Sequence, residues 1–186
     1  MGCSEPYSSR REMKEMAVYG WVGKILRIDL TEERVSTSDT MRLAEKYLGG
    51  RGIAARIAWE EIRPGVDALD AENRLIIMTG PLTGTLAPSS GRTAFCGVAP
   101  QAYPKPWYTR SNMGGWFGSE LKYAGYDGIV IKGRAERPVY LWIRDGEVEF
   151  QEAREIWGRD AFSTQKYLMD KHGMEVKIAC IGPAGE

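Results

Sequence analysis

Two short clusters carry the residue types that hold anions. The first, Ser89-Ser90-Gly91-Arg92, closes a turn-rich run that starts at Gly80. The second, Ser111-Asn112-Met113-Gly114-Gly115-Trp116-Phe117-Gly118, is expected at the mouth of a helix running to about Tyr123. Glycine lets the backbone approach a ligand closely, free amides at a helix start attract negative charge, and arginine offers a fork that matches phosphate or carboxylate. Neither cluster is a GxxxxGK[ST] phosphate loop, and neither has the glycine spacing of a dinucleotide fingerprint. Spacing alone leaves two readings open: a cradle for a phosphorylated or otherwise anionic group, or structural turns around a half-buried sheet.

The other reactive side chains are poorer candidates. His172 is the only histidine. It falls in the last turn of a helix, where an exposed cation suits the helix dipole. Cys96 and Cys180 each fall in an apolar strand and read as buried thiols. Glu60 and Glu61 are adjacent, point to different sides of a helix and read as solvated. The tryptophans read as core or interface, with Trp116 set apart because it follows the glycine pair. No nucleophile–base pair or complete metal-ligand set is visible, so no catalytic residue is assigned.

The elements that must position these clusters can be read along the chain. Alternation over 20–30 and 34–38 with a turn at Thr31-Glu32-Glu33 predicts a hairpin. Asp39 or Thr40 then caps a helix with Leu43, Ala44, Tyr47 and Leu48 at helical spacing, and Gly49-Gly50 is expected to stop it. A second helix covers about Ile53–Ile62, ending before Pro64. Strands are expected at Leu75–Met78, Thr93–Val98, Gly128–Lys132 and Val139–Ile143. Asp145-Gly146 marks a type I′ turn into a returning strand over Glu147–Glu152. Asp160 caps a last helix to about Lys171, Gly173 stops it, and Val176–Ile181 is expected to be a final strand. Hairpins mixed with short helices predict an α+β domain rather than a βαβ series.

Composition narrows the function class. The 186 residues carry 25 Lys+Arg and 25 Asp+Glu, with 43% hydrophobic and 10% aromatic residues. Zero net charge argues against a nucleic-acid partner, and this apolar content argues against disorder. Cys3, Cys96 and Cys180 include no CxxC pair, which excludes a zinc ribbon, a thioredoxin-type pair and a disulfide scaffold. No apolar run has the length of a membrane span and the N-terminus has no signal-peptide core. A cytoplasmic protein without a membrane partner is expected, with residues 1–18 a polar extension and 19–186 one domain. Overall neutrality conceals an asymmetry: the stretch from Gly80 to Gly133 holds ten of the 22 glycines and five basic residues against two acids.

Several blocks occur in the order of one family: YGWVGKILRIDLT, YLGGRGIAARI, AENRLIIMTGPLTGT followed by GR, SNMGGWFGSELKYAGYDGIVIKGRAERPVYLWI, and VKIACIGPAGE. From about Tyr19 onward the chain resembles the N-terminal domain of the tungsten-containing aldehyde ferredoxin oxidoreductases, a family that also includes benzoyl-CoA-reducing subunits. The resemblance implies a domain of two β-sheets with short helices that forms the base for a tungsten bis-pyranopterin (tungstopterin), molybdenum being the usual competing metal. It implies that Arg92, Asn112, Gly114 and Gly115 contact this cofactor. It also implies that the Asn112 backbone carbonyl binds a magnesium ion bridging the pterin phosphates. The activity implied is oxidation of an aldehyde to a carboxylic acid, with two electrons passing through a [4Fe-4S] cluster to ferredoxin. The family's cluster cysteines and an Arg-Ala-x-Gly-Gly turn have no counterpart here. A fragment is therefore expected, not competent alone, whose partner is the remainder of the enzyme or a separate subunit and which self-associates through exposed apolar surface. The alternative is a stand-alone assembly domain without redox activity.

Overall fold

Alternation of apolar side chains decides which strands are buried on both faces. In the computed structural model, which describes residues 19–101 and 104–183, the four-residue run of β3 (Leu75–Met78) sends Ile76 and Met78 to one face and Ile77 to the other. β6 (Gly128–Lys132) does the same with Val130 against Ile129 and Ile131. Period-two alternation makes such short apolar runs the centre of a sheet covered on both sides.

The main sheet has six strands in the order β2-β1-β6-β3-β4-β5. β1 (Lys24–Asp29) and β2 (Arg34–Asp39) form the expected hairpin, and β1 runs parallel to β6. β4 (Thr93–Ala99) and β5 (Trp107–Met113) complete the other side, antiparallel to each other, so β5 is an edge. On one face lie α1 (Met41–Tyr47) and α2 (Gly50–Glu61), where Ile53, Ala54, Ile57 and Ala58 pack on Ile25, Ile76, Met78 and Cys96. The other face receives α3 (Phe117–Tyr123) and a separate hairpin of β7 (Val139–Arg144) and β8 (Glu147–Glu152). Leu121, Tyr126, Leu141, Ile143 and Phe150 cover Leu26, Ile28, Ile77 and Ile129 there. α4 (Ala161–His172) adds a small satellite cluster of Ala153, Ile156 and Leu168. The α+β class and the two sheets agree with expectation. Among the described residues no helix is long and apolar enough to cross a membrane.

Local signals that rest on backbone chemistry hold. Asp145 and Gly146 have φ of 49° and 84°, as a type I′ turn requires. The Asp160 carboxylate accepts the amides of Phe162 and Ser163 at 2.9 and 3.0 Å, capping α4.

Other expectations are corrected. Gly49-Gly50 does not stop α1; Leu48, at φ 61°, ends it, and Gly49 caps α2, which starts at Gly50. Ser111–Met113 belongs to β5 rather than to the mouth of a helix, and α3 begins only at Phe117. Residues 176–181 form no strand and pair with neither sheet; Cys180 is half-buried outside any strand, its Sγ 3.9 Å from the Ala161 carbonyl. Cys96 is buried in β4 as expected. Glu61 is not solvated: it pairs with Arg27 at 2.5 Å and Arg74 at 3.5 Å, tying the end of α2 to the sheet, while Glu60 meets Arg56 at 2.5 Å. His172 is no surface cation. Its ring stacks on Trp142 with centroids 4.1 Å apart, and its Nε2 lies 2.8 Å from the Tyr140 hydroxyl. The N-terminal extension at 1–18, including Cys3, lies outside the described residues.

Candidate functional site

The two anion-type clusters are about twenty residues apart in sequence, and strand pairing brings them together. Thr93, the first residue of β4, pairs with Met113, the last of β5. Arg92 and Gly114, the next residues outward, therefore leave the same end of the ladder. The approach is close: a Cβ placed on Gly91 would lie 3.0 Å from the Gly115 carbonyl oxygen. Only a residue without a side chain fits there comfortably. Arg92, Asn112, Gly114 and Gly115 thus share one rim, and all four are exposed. Added Cβ atoms on Gly114 and Gly115 would meet nothing within 4 Å, so the backbone of this turn faces open space. The Arg92 guanidinium has no hydrogen-bond or ion-pair partner among the described residues.

The loop that delivers Arg92 is held from below. Thr83 Oγ1 accepts the Gly80 amide at 3.2 Å and donates to the Ser90 carbonyl at 3.0 Å, closing the loop on itself. Ser90 Oγ donates to the Ala87 carbonyl at 2.8 Å, and the Tyr123 hydroxyl on α3 donates to the Gly84 carbonyl at 2.8 Å. Lys122, also on α3, is buried and donates to the carbonyls of Gly80, at 2.9 Å, and Gly20. Its ammonium lies 5.1 Å from the centre of the Trp21 ring and 4.0 Å from Asp127. Burial lowers the Lys122 pKa, and the Asp127 carboxylate opposes that shift.

Asp127 is fully buried and fully engaged. Its oxygens accept the amides of Val22 at 2.9 Å and Gly23 at 2.7 Å, and the Thr40 hydroxyl at 2.8 Å. One carboxylate therefore fixes the chain entry to β1, the start of α1 and the lysine beneath the loop. α3 comes close because Gly118 allows it: a Cβ there would lie 2.2 Å from Thr93 Oγ1. That hydroxyl is buried without a hydrogen-bond partner.

Sequence reasoning found the rim and missed its support. Lys122 entered only as a unit of charge, although its position was informative. It lies four residues after Gly118 and next to Leu121, on the face of α3 that is buried. A lysine at an apolar-face position needs carbonyl or carboxylate partners. The pairing of Asp127 with Thr40 had no comparable signal, since the two lie 87 residues apart, and the Thr83 bonds to Gly80 and Ser90 depend on how the loop folds.

Comparison with known proteins places these features in context. A family model described as "Aldehyde ferredoxin oxidoreductase, N-terminal domain" matches residues 25–186. The chain is 44% identical over 171 residues to a tungsten-containing aldehyde ferredoxin oxidoreductase of Pyrococcus furiosus, covering 91% of this chain and 28% of that protein. Identity to the protein of the same name from Thermococcus kodakarensis is 42% over the same length. It is 36% to an aliphatic sulfonate oxidoreductase, WOR-like subunit, of Pyrococcus furiosus, covering 86% of this chain and 26% of that protein. Among solved structures, the active-site complex BamBC of benzoyl-coenzyme A reductase, in complex with 1,5-dienoyl-CoA, is similar with a TM-score of 0.85 and 37% identity. It covers 90% of this chain and 25% of that one. The chain thus spans about a quarter of the length of these relatives.

Proposed function

The chain belongs to the aldehyde ferredoxin oxidoreductase family, matching its N-terminal domain, and from that membership we propose that it cradles the phosphate end of a tungsten bis-pyranopterin cofactor. The observation that carries this reading is the convergence of Arg92 with the Gly114-Gly115 turn on one rim, held by the close approach of Gly91 to Gly115. The residues fit such a group: an unpaired guanidinium beside open backbone is suited to phosphate oxygens.

Arg92 would pair with a phosphate, Gly114 and Gly115 would let it approach the backbone, and the Asn112 carbonyl would ligate the bridging magnesium. Among the described residues no three His, Cys, Asp or Glu side chains group as a metal centre. This chain's share is accordingly through guanidinium and backbone. When bound, the cofactor, with tungsten or its competitor molybdenum, supplies the two-electron oxidation of an aldehyde to a carboxylic acid. The Thr83 clamp and the Lys122–Asp127 support hold Arg92 in place for that group. A [4Fe-4S] cluster and the ferredoxin contact are assigned to the remainder of a longer polypeptide or to a separate subunit. Residues 19–186 act as one cofactor-holding unit that is not competent alone.

A second reading, an assembly domain without redox activity, is favoured by exposed apolar side chains on and near the loop: Leu82, Leu86, Trp116 and Tyr123. Under the leading reading this surface is covered by the rest of the enzyme, and the separate chain self-associates through it. The test is Arg92→Ala in a polypeptide completed with the missing remainder and made in tungstate-fed cells. Charge-assisted contacts to phosphate contribute about 1.5–3 kcal/mol, so metal analysis and pterin fluorescence should show weakened retention. Parent-level cofactor in the variant would overturn the placement of the phosphate site. A metal-free parent that still forms a defined oligomer would support the assembly reading.

A further inference from the structure

A second basic feature lies on the α2 side of the sheet. Tyr108 and Arg110 stand on one face of β5, opposite Val98 and Cys96 in the register with β4. Facing them is the first turn of α2, which starts at Gly50 after the Gly49 cap, with no side-chain cap and no acidic residue. Between the two is an open cleft of about 540 Å³ whose walls include Tyr47, Leu48, Arg51, Ala55, Tyr108 and Arg110, with no acid among its lining residues.

The charge in this cleft is uncompensated. Neither Arg51 nor Arg110 has an ion-pair or hydrogen-bond partner among the described residues, whereas Arg27, Arg34, Arg56 and Arg74 each meet a carboxylate. Both guanidiniums act on the same two groups. Burial raises the pKa of the Cys96 thiol and the Tyr108 phenol, and Arg110 and Arg51 both pull them back down. Two cations so placed repel each other, and the positive end of the α2 dipole adds to them. Entry of an anion relieves all three. The cleft is wide open to solvent and has room for a small organic molecule as well as a bare ion. Tyrosine and aliphatic walls suit an apolar body attached to the charge.

We propose that this cleft binds an organic oxyanion, a carboxylate or phosphate monoester, with its head between Arg51 and Arg110 and its apolar body against Tyr47, Leu48 and Tyr108. None of Arg92, Asn112, Gly114 and Gly115 lines this cleft, although Arg110 and Asn112 share β5.

The test uses the full chain with isotope-labelled arginine and follows the guanidinium signals by NMR. The titrants are benzoate, phenyl phosphate, inorganic phosphate and neutral benzamide. Benzoate or phenyl phosphate should shift Arg51 and Arg110 saturably in the millimolar range expected of an open site, and whichever binds more tightly identifies the head group. Arg51→Gln and Arg110→Gln, both exposed and so expected to leave the fold intact by circular dichroism, should each weaken binding by about tenfold or more. Arg92→Ala should leave it unchanged, which separates failure of this site from failure of the cofactor rim. Benzamide binding as tightly as benzoate would remove the role of charge and overturn the proposal. Inorganic phosphate binding as tightly as phenyl phosphate, with no response to benzoate, would overturn the organic class. Equal binding by the parent and both glutamine variants would place the ligand elsewhere, and no saturable shift at all would show that the cleft holds no such anion; either result overturns the proposal.

Discussion

Lys122→Met tests the support beneath the anion rim. Methionine keeps the length and apolar stem of the side chain and removes only the ammonium and its three donors. The parent ammonium serves two carbonyls, Gly80 at 2.9 Å and Gly20, which come from segments about sixty residues apart. Hydrogen bonds from a charged group contribute about 1.5–3 kcal/mol each. Two such bonds set an upper limit of about 3–6 kcal/mol, and two effects reduce it. The lysine itself is destabilised as a buried cation, as its lowered pKa records, and the variant is relieved of that cost. Asp127 also keeps its three other donors, from Val22, Gly23 and Thr40, so no buried carboxylate is stranded. A loss of roughly 2–4 kcal/mol is expected, measured by urea unfolding with the slope unchanged. Hydrogen exchange should quicken first in residues 80–92, because that loop loses its tie to α3. A loss below about 0.5 kcal/mol, the scale of an ordinary surface change, would refute the assignment of Lys122 as the loop's anchor.

Thr93→Val replaces a buried hydroxyl that has no partner. It should stabilise the chain by up to about 1 kcal/mol in thermal unfolding, whereas a loss of that size would reveal a bond the hydroxyl makes. Glu61→Ala removes the acceptor shared by Arg27 and Arg74 and leaves the buried Arg74 Nε without its carboxylate. A cost of about 1–3 kcal/mol is expected, smaller in high salt, and no salt dependence would argue against the ion pair. His172 has its pKa lowered by burial first and by Lys171 second, with Glu149 opposing. The unfolded state therefore takes up the proton more readily, so the contribution of His172 is complete above about pH 6.5 and is lost as pH falls through the lower folded value. His172→Gln should flatten the pH dependence of stability in that window, and an unchanged profile would show that another group dominates there.

Much of this protein was legible because it rests on local chemistry. The LIIM run, the Asp145-Gly146 turn and the Asp160 cap each carry their own instructions within a few residues. Strand burial follows alternation, the turn follows positive φ, and the cap follows a carboxylate next to free amides. Glycine beside arginine marked the Arg92 half of the rim, and the paired glycines marked the other half, although the helix mouth expected there lies in β5. Even the error at Gly49-Gly50 was local in kind, since glycine serves both as a stop and as a start, and only the packing of α2 on Thr79 and Pro81 selected the second use.

Tertiary structure decided what no neighbourhood could. Ser111–Met113 has the polar composition of a helix start and becomes a strand because β4 offers it a ladder. That pairing makes one rim of two clusters by aligning Thr93 with Met113. His172 became a stacked, half-buried ring because β7 presents Trp142 and Tyr140 to the end of α4. Asp127, Lys122 and Thr83 gained their roles from partners 42 to 105 residues away or across a loop. So did the cleft lined by Arg51 and Arg110, which belong to different elements and share it only because α2 lies on the β5 side of that face. Local sequence determines where a chain turns and which residues avoid water. Which charges end up facing each other is fixed only when the strands choose their neighbours.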